Sequence, residues 1–85
     1  MAIEQFVWTD HALQRLQERG LTRFEVEEAI REGHDGRRPN EDGAEWMSAA
    51  RTQSGISIEA VYDHPHQGDG SIARVVSVWR VESAA

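Results

Sequence analysis

Two complete helix signals stand one after the other in the first 33 residues, and they limit what the rest of the chain can fold into. Thr9 is a favoured N-cap residue, and Gly20 is a typical C-terminal stop. Thr22 and Glu25 have the spacing of a capping box, and Gly33 follows as the next stop. We therefore predict two short helices, separated by so little chain that they form a helical hairpin or a tight corner.

Three strand segments follow the helices. Residues 34–44 are polar and rich in glycine, which predicts a loop, with a short edge strand near Arg37 and Arg38 as an option. Strands are then predicted over residues 45–52, 56–63 and 72–82, and apolar and polar residues alternate along the middle one. The last of these is apolar on both faces, which is typical of a central strand that helices cover.

The length of the chain limits the number of domains. With 85 residues there is room for one core, so we predict a single α+β domain over residues 1–85. Its architecture is expected to be two N-terminal helices packed on a three- to four-stranded antiparallel sheet. The absence of cysteine and of a long apolar run favours a cytoplasmic protein that does not enter a membrane. A homodimer is an open alternative, since small cores gain stability by association.

The charge of the chain weighs against a nucleic-acid partner. The formal net charge is -6, which repels polyanions at long range. All nine basic residues are arginine, whose planar guanidinium suits bidentate contacts with phosphate or carboxylate. A genome rich in GC base pairs would produce the same preference for arginine.

A stripe of three residues on the first predicted helix is the strongest candidate for chemistry. His11, Arg15 and Arg19 follow at intervals of four and line up at the border of the apolar face. Two guanidinium groups and one imidazole can bind a phosphate and move a proton beside it. His11 lies in the first turn, where the helix dipole favours the neutral imidazole. The structural alternative pairs Arg15 with Glu18 and Arg19 with a carboxylate of the second helix.

Two weaker clusters lie in the second half of the chain. Asp63, His64 and His66 could hold a metal ion, but no second ligand cluster is evident, so we predict a solvated turn, no metal and no cofactor. Arg74 and Arg80 have the spacing of residues on one face of the last strand. There they would flank a cleft or solvate the ends of the strand.

The run HALQRLQERGLT over residues 11–22 resembles the opening of a widespread prokaryotic domain family of unknown function. That family begins with His-Ala, has an arginine four residues after the histidine, and continues with Arg-Gly and a capped helix carrying Val-Glu-Glu. Here the second helix reads EVEEAI over residues 25–30. The step from Val61 to Tyr62 and the run VVSVWR over residues 75–80 also resemble the family, so the likeness spans roughly residues 6–81. The family looks related to the RelE/ParE/BrnT superfamily of small toxins.

This resemblance implies a fold of helices on a twisted antiparallel sheet and an activity of metal-independent RNA cleavage. The catalytic candidates that it implies are His11, Arg15 and Arg19 from the helical motif, with Tyr62 and Arg80 added from strand position alone. The implied partners are RNA or a ribosome, and a cognate antitoxin protein. The competing hypothesis is a non-catalytic, dimeric interaction or regulatory module, in which the helix stripe is locked in intramolecular pairs and an apolar face is exposed.

Overall fold

A computed structural model of the chain describes residues 3–40 and 43–81. The predicted strand end at Glu82 lies outside these residues, as do residues 41 and 42 of the predicted loop. The elements in chain order are β1 (Gln5–Trp8), α1 (Asp10–Arg19), α2 (Arg23–Gly33), a 3₁₀ turn (His34–Gly36), β2 (Arg38–Pro39), β3 (Trp46–Arg51), β4 (Ser57–Asp63) and β5 (Ile72–Arg80).

Both helices begin at the predicted caps. The Thr9 hydroxyl accepts a hydrogen bond from the backbone of the first turn of α1, and Gly20 ends that helix with a φ of 68°, in the left-handed region. Thr22 and Glu25 form the predicted capping box at the start of α2. These local hydrogen bonds fix the two helix starts and the turn between them.

The second helix ends at Gly33 as predicted, but not in the left-handed conformation that ends α1 at Gly20. The φ of Gly33 is -91°, and the chain continues from it into the 3₁₀ turn. A Cβ atom at Gly33 would lie 2.9 Å from the carbonyl oxygen of Ala49 on β3. Glycine is therefore needed at this position because the end of α2 approaches the backbone of β3 closely.

The sheet has five strands in the order β1-β5-β4-β3-β2, and β1 runs parallel to β5. The prediction of three to four antiparallel strands was therefore wrong in number and in the direction of one pair, whereas the edge strand near Arg37 and Arg38 is present as β2. The missed strand, β1, has only four residues, too few for a reliable alternating pattern.

The helices pack on one face of the sheet, α1 against β5 and α2 against β3 and β4. The buried side chains between the two layers form the core, and Tyr62 is the largest of those that are fully buried. None of the described helices covers the opposite face of the sheet. Within residues 3–40 and 43–81, no helix is long and apolar enough to cross a membrane.

A β-bulge changes the facing of residues along β5. The register of β4 against β5 shifts between Val61 and Tyr62, so that Val76 is an extra residue on β5. Val75 and Val78 consequently both belong to the core, although three positions apart in a regular strand point to opposite faces.

The bulge also separates the two arginines that were expected to share a face. Arg74 lies beside Asp63 and forms a 3.0 Å ion pair with it. Arg80 lies beside the buried Ile58, so its Cβ is on the helix side of the sheet. The prediction of a common face for Arg74 and Arg80 was therefore wrong, because it assumed a regular strand.

Candidate functional site

Two histidines meet beside a buried tyrosine where the 3₁₀ turn approaches the end of β4. The Nδ1 atom of His34 lies 2.7 Å from the hydroxyl oxygen of Tyr62. The rings of His34 and His64 are in edge-to-face contact, with centroids 4.6 Å apart. His34 directly follows α2, Tyr62 lies on β4, and His64 is the first residue of the loop after β4. We call these three residues the histidine cluster.

Tyr62 is the buried member of the histidine cluster. Its side chain is 0% exposed, and burial raises the pKa of the phenol. The neighbouring polar side chain of Ser48 on β3 and the charge of Arg37 oppose that shift in pKa. The phenol is therefore neutral at physiological pH and has one proton to donate.

His34 is held in its neutral form. Burial is the largest cause of its lowered pKa, and the positive charge of Arg37 and the neighbouring His64 lower the pKa further, while Asp35 opposes them. Because an ordinary histidine titrates near pH 6.5, a lowered pKa leaves the His34 imidazole uncharged at neutral pH.

The orientation of His64 follows from two hydrogen bonds. Its Nε2 atom lies 2.7 Å from the carbonyl oxygen of Gly70. A carbonyl oxygen only accepts, so Nε2 bears the proton and Nδ1 of the neutral ring has a lone pair. The indole Nε1 of Trp46 donates to the backbone carbonyl of His64 at 3.0 Å, which ties the start of the loop to β3.

Arg37 is a cation fixed next to the cluster. Its guanidinium lies over the ring of Trp46, 4.4 Å from the centroid, and its Nη1 donates to the backbone carbonyl of His34 at 3.0 Å. Its Nε atom is buried without a hydrogen-bond partner among residues 3–40 and 43–81. The positive charge is thus held in place by stacking and by one backbone contact, with donor capacity left over.

The predicted stripe on α1 lies apart from the cluster. His11 and Arg19 are exposed, and neither forms a hydrogen bond or ion pair within the described part of the chain. Arg15 forms an ion pair with Glu18, as the structural alternative predicted, and this contact is the main cause of the lowered pKa of Glu18. In the described residues no contact joins the stripe to Tyr62.

The predicted pairing of Arg19 with a carboxylate of α2 is not formed in the described residues. Glu25 is held in the capping box by Thr22, and Glu28 accepts a hydrogen bond from the backbone N–H of Gln53. Arg19 contributes instead a weaker attraction on Glu18.

Arg80 is also distant from Tyr62. It is exposed and lies beside Ile58, four residues before Tyr62 on β4, a separation of about 13 Å along a strand. Of the five predicted catalytic residues, only Tyr62 lies in the histidine cluster.

The loop after β4 holds the predicted metal candidates. Asp63 accepts hydrogen bonds from the backbone of Glu45 and from Arg74, so both of its oxygens have partners. Over the described ranges, no group of three or more histidine, cysteine or acidic residues could hold a metal ion.

Sequence patterns did not connect His34 to His64. The two residues are 30 positions apart, and no helical or strand periodicity relates them. The one signal in the sequence is that each directly follows a predicted element, His34 after the second helix and His64 after the middle strand. Their contact arises from tertiary packing.

Comparison of the chain with curated proteins and with solved structures gave no match. A family model does match, and it covers residues 8–80, which include both helices, the histidine cluster and most of the sheet. The chain belongs to the family described as Domain of unknown function (DUF4258).

Proposed function

We propose that this protein is a small ribonuclease-like toxin of the RelE/ParE/BrnT type, which cleaves RNA without a metal ion at the histidine cluster. The observation that supports the proposal is the contact of two differently anchored imidazoles. Nδ1 of His34 is hydrogen-bonded to the Tyr62 hydroxyl, and Nε2 of His64 is hydrogen-bonded to the Gly70 carbonyl. The other nitrogen of each ring has no hydrogen-bond partner within the described residues, so both rings keep one nitrogen for a ligand.

The chemistry of RNA cleavage suits such a pair. The 2′-hydroxyl attacks the adjacent phosphorus, the O2′–P bond forms, and the P–O5′ bond breaks. His64 accepts the proton of the 2′-hydroxyl, solvent water protonates the departing 5′-oxygen, and the imidazolium returns its proton to solvent. The fixed charge of Arg37 stabilises the additional negative charge on the phosphoryl oxygens. The products are a 2′,3′-cyclic phosphate and a 5′-hydroxyl.

The stripe of His11, Arg15 and Arg19 is the alternative site for the same chemistry. His11 is open to solvent, as a proton acceptor requires, and Arg19 is exposed eight residues further along the helix. The pairing of Arg15 with Glu18 weakens this alternative, because it neutralises one of the two guanidinium groups. RNA or a ribosome as substrate, an antitoxin as inhibitor and a cytoplasmic location belong to this proposal for either site.

A cleavage assay with end-labelled RNA in excess EDTA tests the proposal. We expect the wild type to yield 2′,3′-cyclic phosphate ends, and His64→Gln to lower the rate by about 10²- to 10⁴-fold, the range for a lost proton acceptor. His66→Gln is the matched control, because it removes an imidazole from the same loop outside the cluster. The double variant His11→Ala, Arg19→Ala is expected to retain cleavage.

Two results would change the proposal. Loss of cleavage only in the His11, Arg19 double variant would move the site to α1. The nuclease would be excluded if the folded wild-type protein left RNA intact in two assays, one with purified RNA and one in cells after induced expression. The in-cell measurement covers a requirement for the ribosome.

The second candidate function is a non-catalytic interaction module, and one exposed side chain favours it. Phe24 on α2 is 74% exposed, so a large apolar side chain is available to a partner. The sheet face opposite the helices also has no covering helix among the described residues. A binding module, alone or as a homodimer, becomes the preferred function if RNA stays intact in both assays.

A further inference from the structure

We propose that Tyr62 is a positioning residue, which acts through His34 and does not touch RNA. In this proposal the hydrogen bond that the Tyr62 hydroxyl donates to Nδ1 of His34 places the proton of that ring on Nε2. His34 is then a hydrogen-bond donor, and Nδ1 of His64 is the proton acceptor of the cluster. The inference rests on the proposed ribonuclease function and assigns separate roles to its two histidines.

The burial of Tyr62 excludes direct contact with a substrate. Its side chain is 0% exposed and is packed in the core between the sheet and the helices. The hydroxyl nevertheless reaches His34, at 2.7 Å from Nδ1. Any effect of the phenol on a bound RNA must therefore pass through the imidazole ring.

The direction of the hydrogen bond between Tyr62 and His34 follows from the strengths of the groups. The phenol oxygen of Tyr62 lies 2.7 Å from Nδ1 of His34, and the tautomer of the ring decides which of the two donates. A phenol is a more acidic donor than the N–H of a neutral imidazole, and an imidazole lone pair is a stronger acceptor than a phenol oxygen. The favoured direction is donation from the Tyr62 hydroxyl to Nδ1 of His34. The neutral His34 ring then has its proton on Nε2.

The two histidines thereby receive complementary tautomers. The Gly70 carbonyl holds the proton of His64 on Nε2, so the free nitrogen of that ring is a lone-pair acceptor. The free nitrogen of His34 is an N–H donor, suited to a phosphoryl oxygen. Besides Tyr62, the charged and titratable groups near His34 are Arg37, His64 and Asp35, and Arg37 and His64 both favour the uncharged ring that this arrangement needs.

Nitrogen-15 NMR of the imidazole rings tests the proposal, because ring nitrogen shifts distinguish the two neutral tautomers. In the wild type we expect His34 in the Nε2–H form. In the Tyr62→Phe variant we expect His34 as a mixture of both neutral tautomers. The Tyr62→Phe variant should also lower kcat for RNA cleavage by about 10- to 100-fold, with little change in KM. That is the usual loss of activity when a residue that orients a functional histidine by a hydrogen bond is removed.

Thr52→Val is the matched control. It removes a buried hydroxyl that bonds to Ser54 and to the backbone of Ile56, in the hairpin between β3 and β4, and it keeps the side-chain volume. We expect it to lower stability as Tyr62→Phe does but to leave the His34 tautomer and kcat unchanged.

Two results would overturn the inference. One is a wild-type His34 with its proton on Nδ1, a measurement that decides the question even if Tyr62→Phe fails to fold. The other is a Tyr62→Phe variant whose tautomer and kcat match those of Thr52→Val. Failure of the proposed function is separate and visible as intact RNA with the wild type, whatever tautomer the spectrum shows.

Discussion

Charging the His34 imidazole costs more free energy in the folded protein than in the unfolded chain. The ring is partly buried, which is the largest cause of its lowered pKa, and Arg37 and His64 add to the shift. Protons therefore bind to His34 of the unfolded chain at a higher pH than to His34 of the folded protein. This difference links the protonation of one residue to the stability of the whole fold.

The free energy of unfolding should fall as the pH falls below about 6.5, the ordinary pKa of histidine. Above that pH the ring is neutral in both states and contributes no pH dependence. Below it the unfolded chain takes up the proton first, so stability is lost until the pH passes the lowered pKa of the folded state. Urea unfolding between about pH 7.5 and about pH 5.5 measures this slope.

His34→Gln is the control for the pH prediction, since glutamine keeps a polar side chain without a titrating ring. Its free energy of unfolding should change less over the same pH range. Equal slopes for the two proteins would contradict the account of His34.

At the scale of elements, the end of α2 lies so close to the backbone of β3 that a side chain larger than that of glycine does not fit at Gly33 without a shift. A Cβ atom at Gly33 would lie 2.9 Å from the Ala49 carbonyl oxygen, closer than real Cβ atoms come to a backbone oxygen. The end of α2 leads directly into His34, so this packing also sets the position of the ring. A shift of the end of α2 would therefore also move His34 relative to Tyr62.

Gly33→Ala should therefore lower the free energy of unfolding by about 1–3 kcal/mol, the usual cost of forcing extra volume into packed structure. The matched control is Gly36→Ala, three residues further on, where an added Cβ meets no atom within 4 Å. We expect that variant to match the wild type or to be slightly more stable. Chemical denaturation of both variants checks the difference, and equal stabilities would show that the contact at Gly33 relaxes freely.

Elements defined by local hydrogen bonds were predictable from the sequence. The caps at Thr9 and Thr22 each involve groups within three residues, so the residue types alone indicate the helix starts. The parallel pairing of Gln5 with Ile72 and the extra residue Val76 depend on partners far along the chain. Neither leaves a periodic signal in the sequence. The existence of β1 and the change in which β5 side chains point to the core therefore could not be predicted.

At the scale of the whole molecule, more than half of the arginines make contacts within the chain. Five of the nine arginines make intramolecular hydrogen bonds, ion pairs or ring contacts in the described residues: Arg15, Arg31, Arg37, Arg51 and Arg74. With a net charge of -6, the molecule has no general attraction for polyanions. Any binding of RNA must therefore come from a local site and not from the overall field.

The candidate site was predictable only in part, because its members come from distant parts of the chain. Tyr62 was expected from strand position, and the structure places it in the cluster. His34 and His64 meet only because α2 and β4 end at the same edge of the molecule. The stripe of His11, Arg15 and Arg19 was visible in the sequence because helical spacing alone aligns it.

NMR mapping of RNA binding tests the central claim, that the histidine cluster is the functional site, most directly. The ligand is a single-stranded 2′-O-methyl RNA oligonucleotide, which has no free 2′-hydroxyl and cannot be cleaved by the proposed route. We predict that the ring resonances of His34 and His64 shift on titration, while those of His11 do not. Shifts at His11 with an unchanged cluster, or no shift in any histidine ring, would contradict the account.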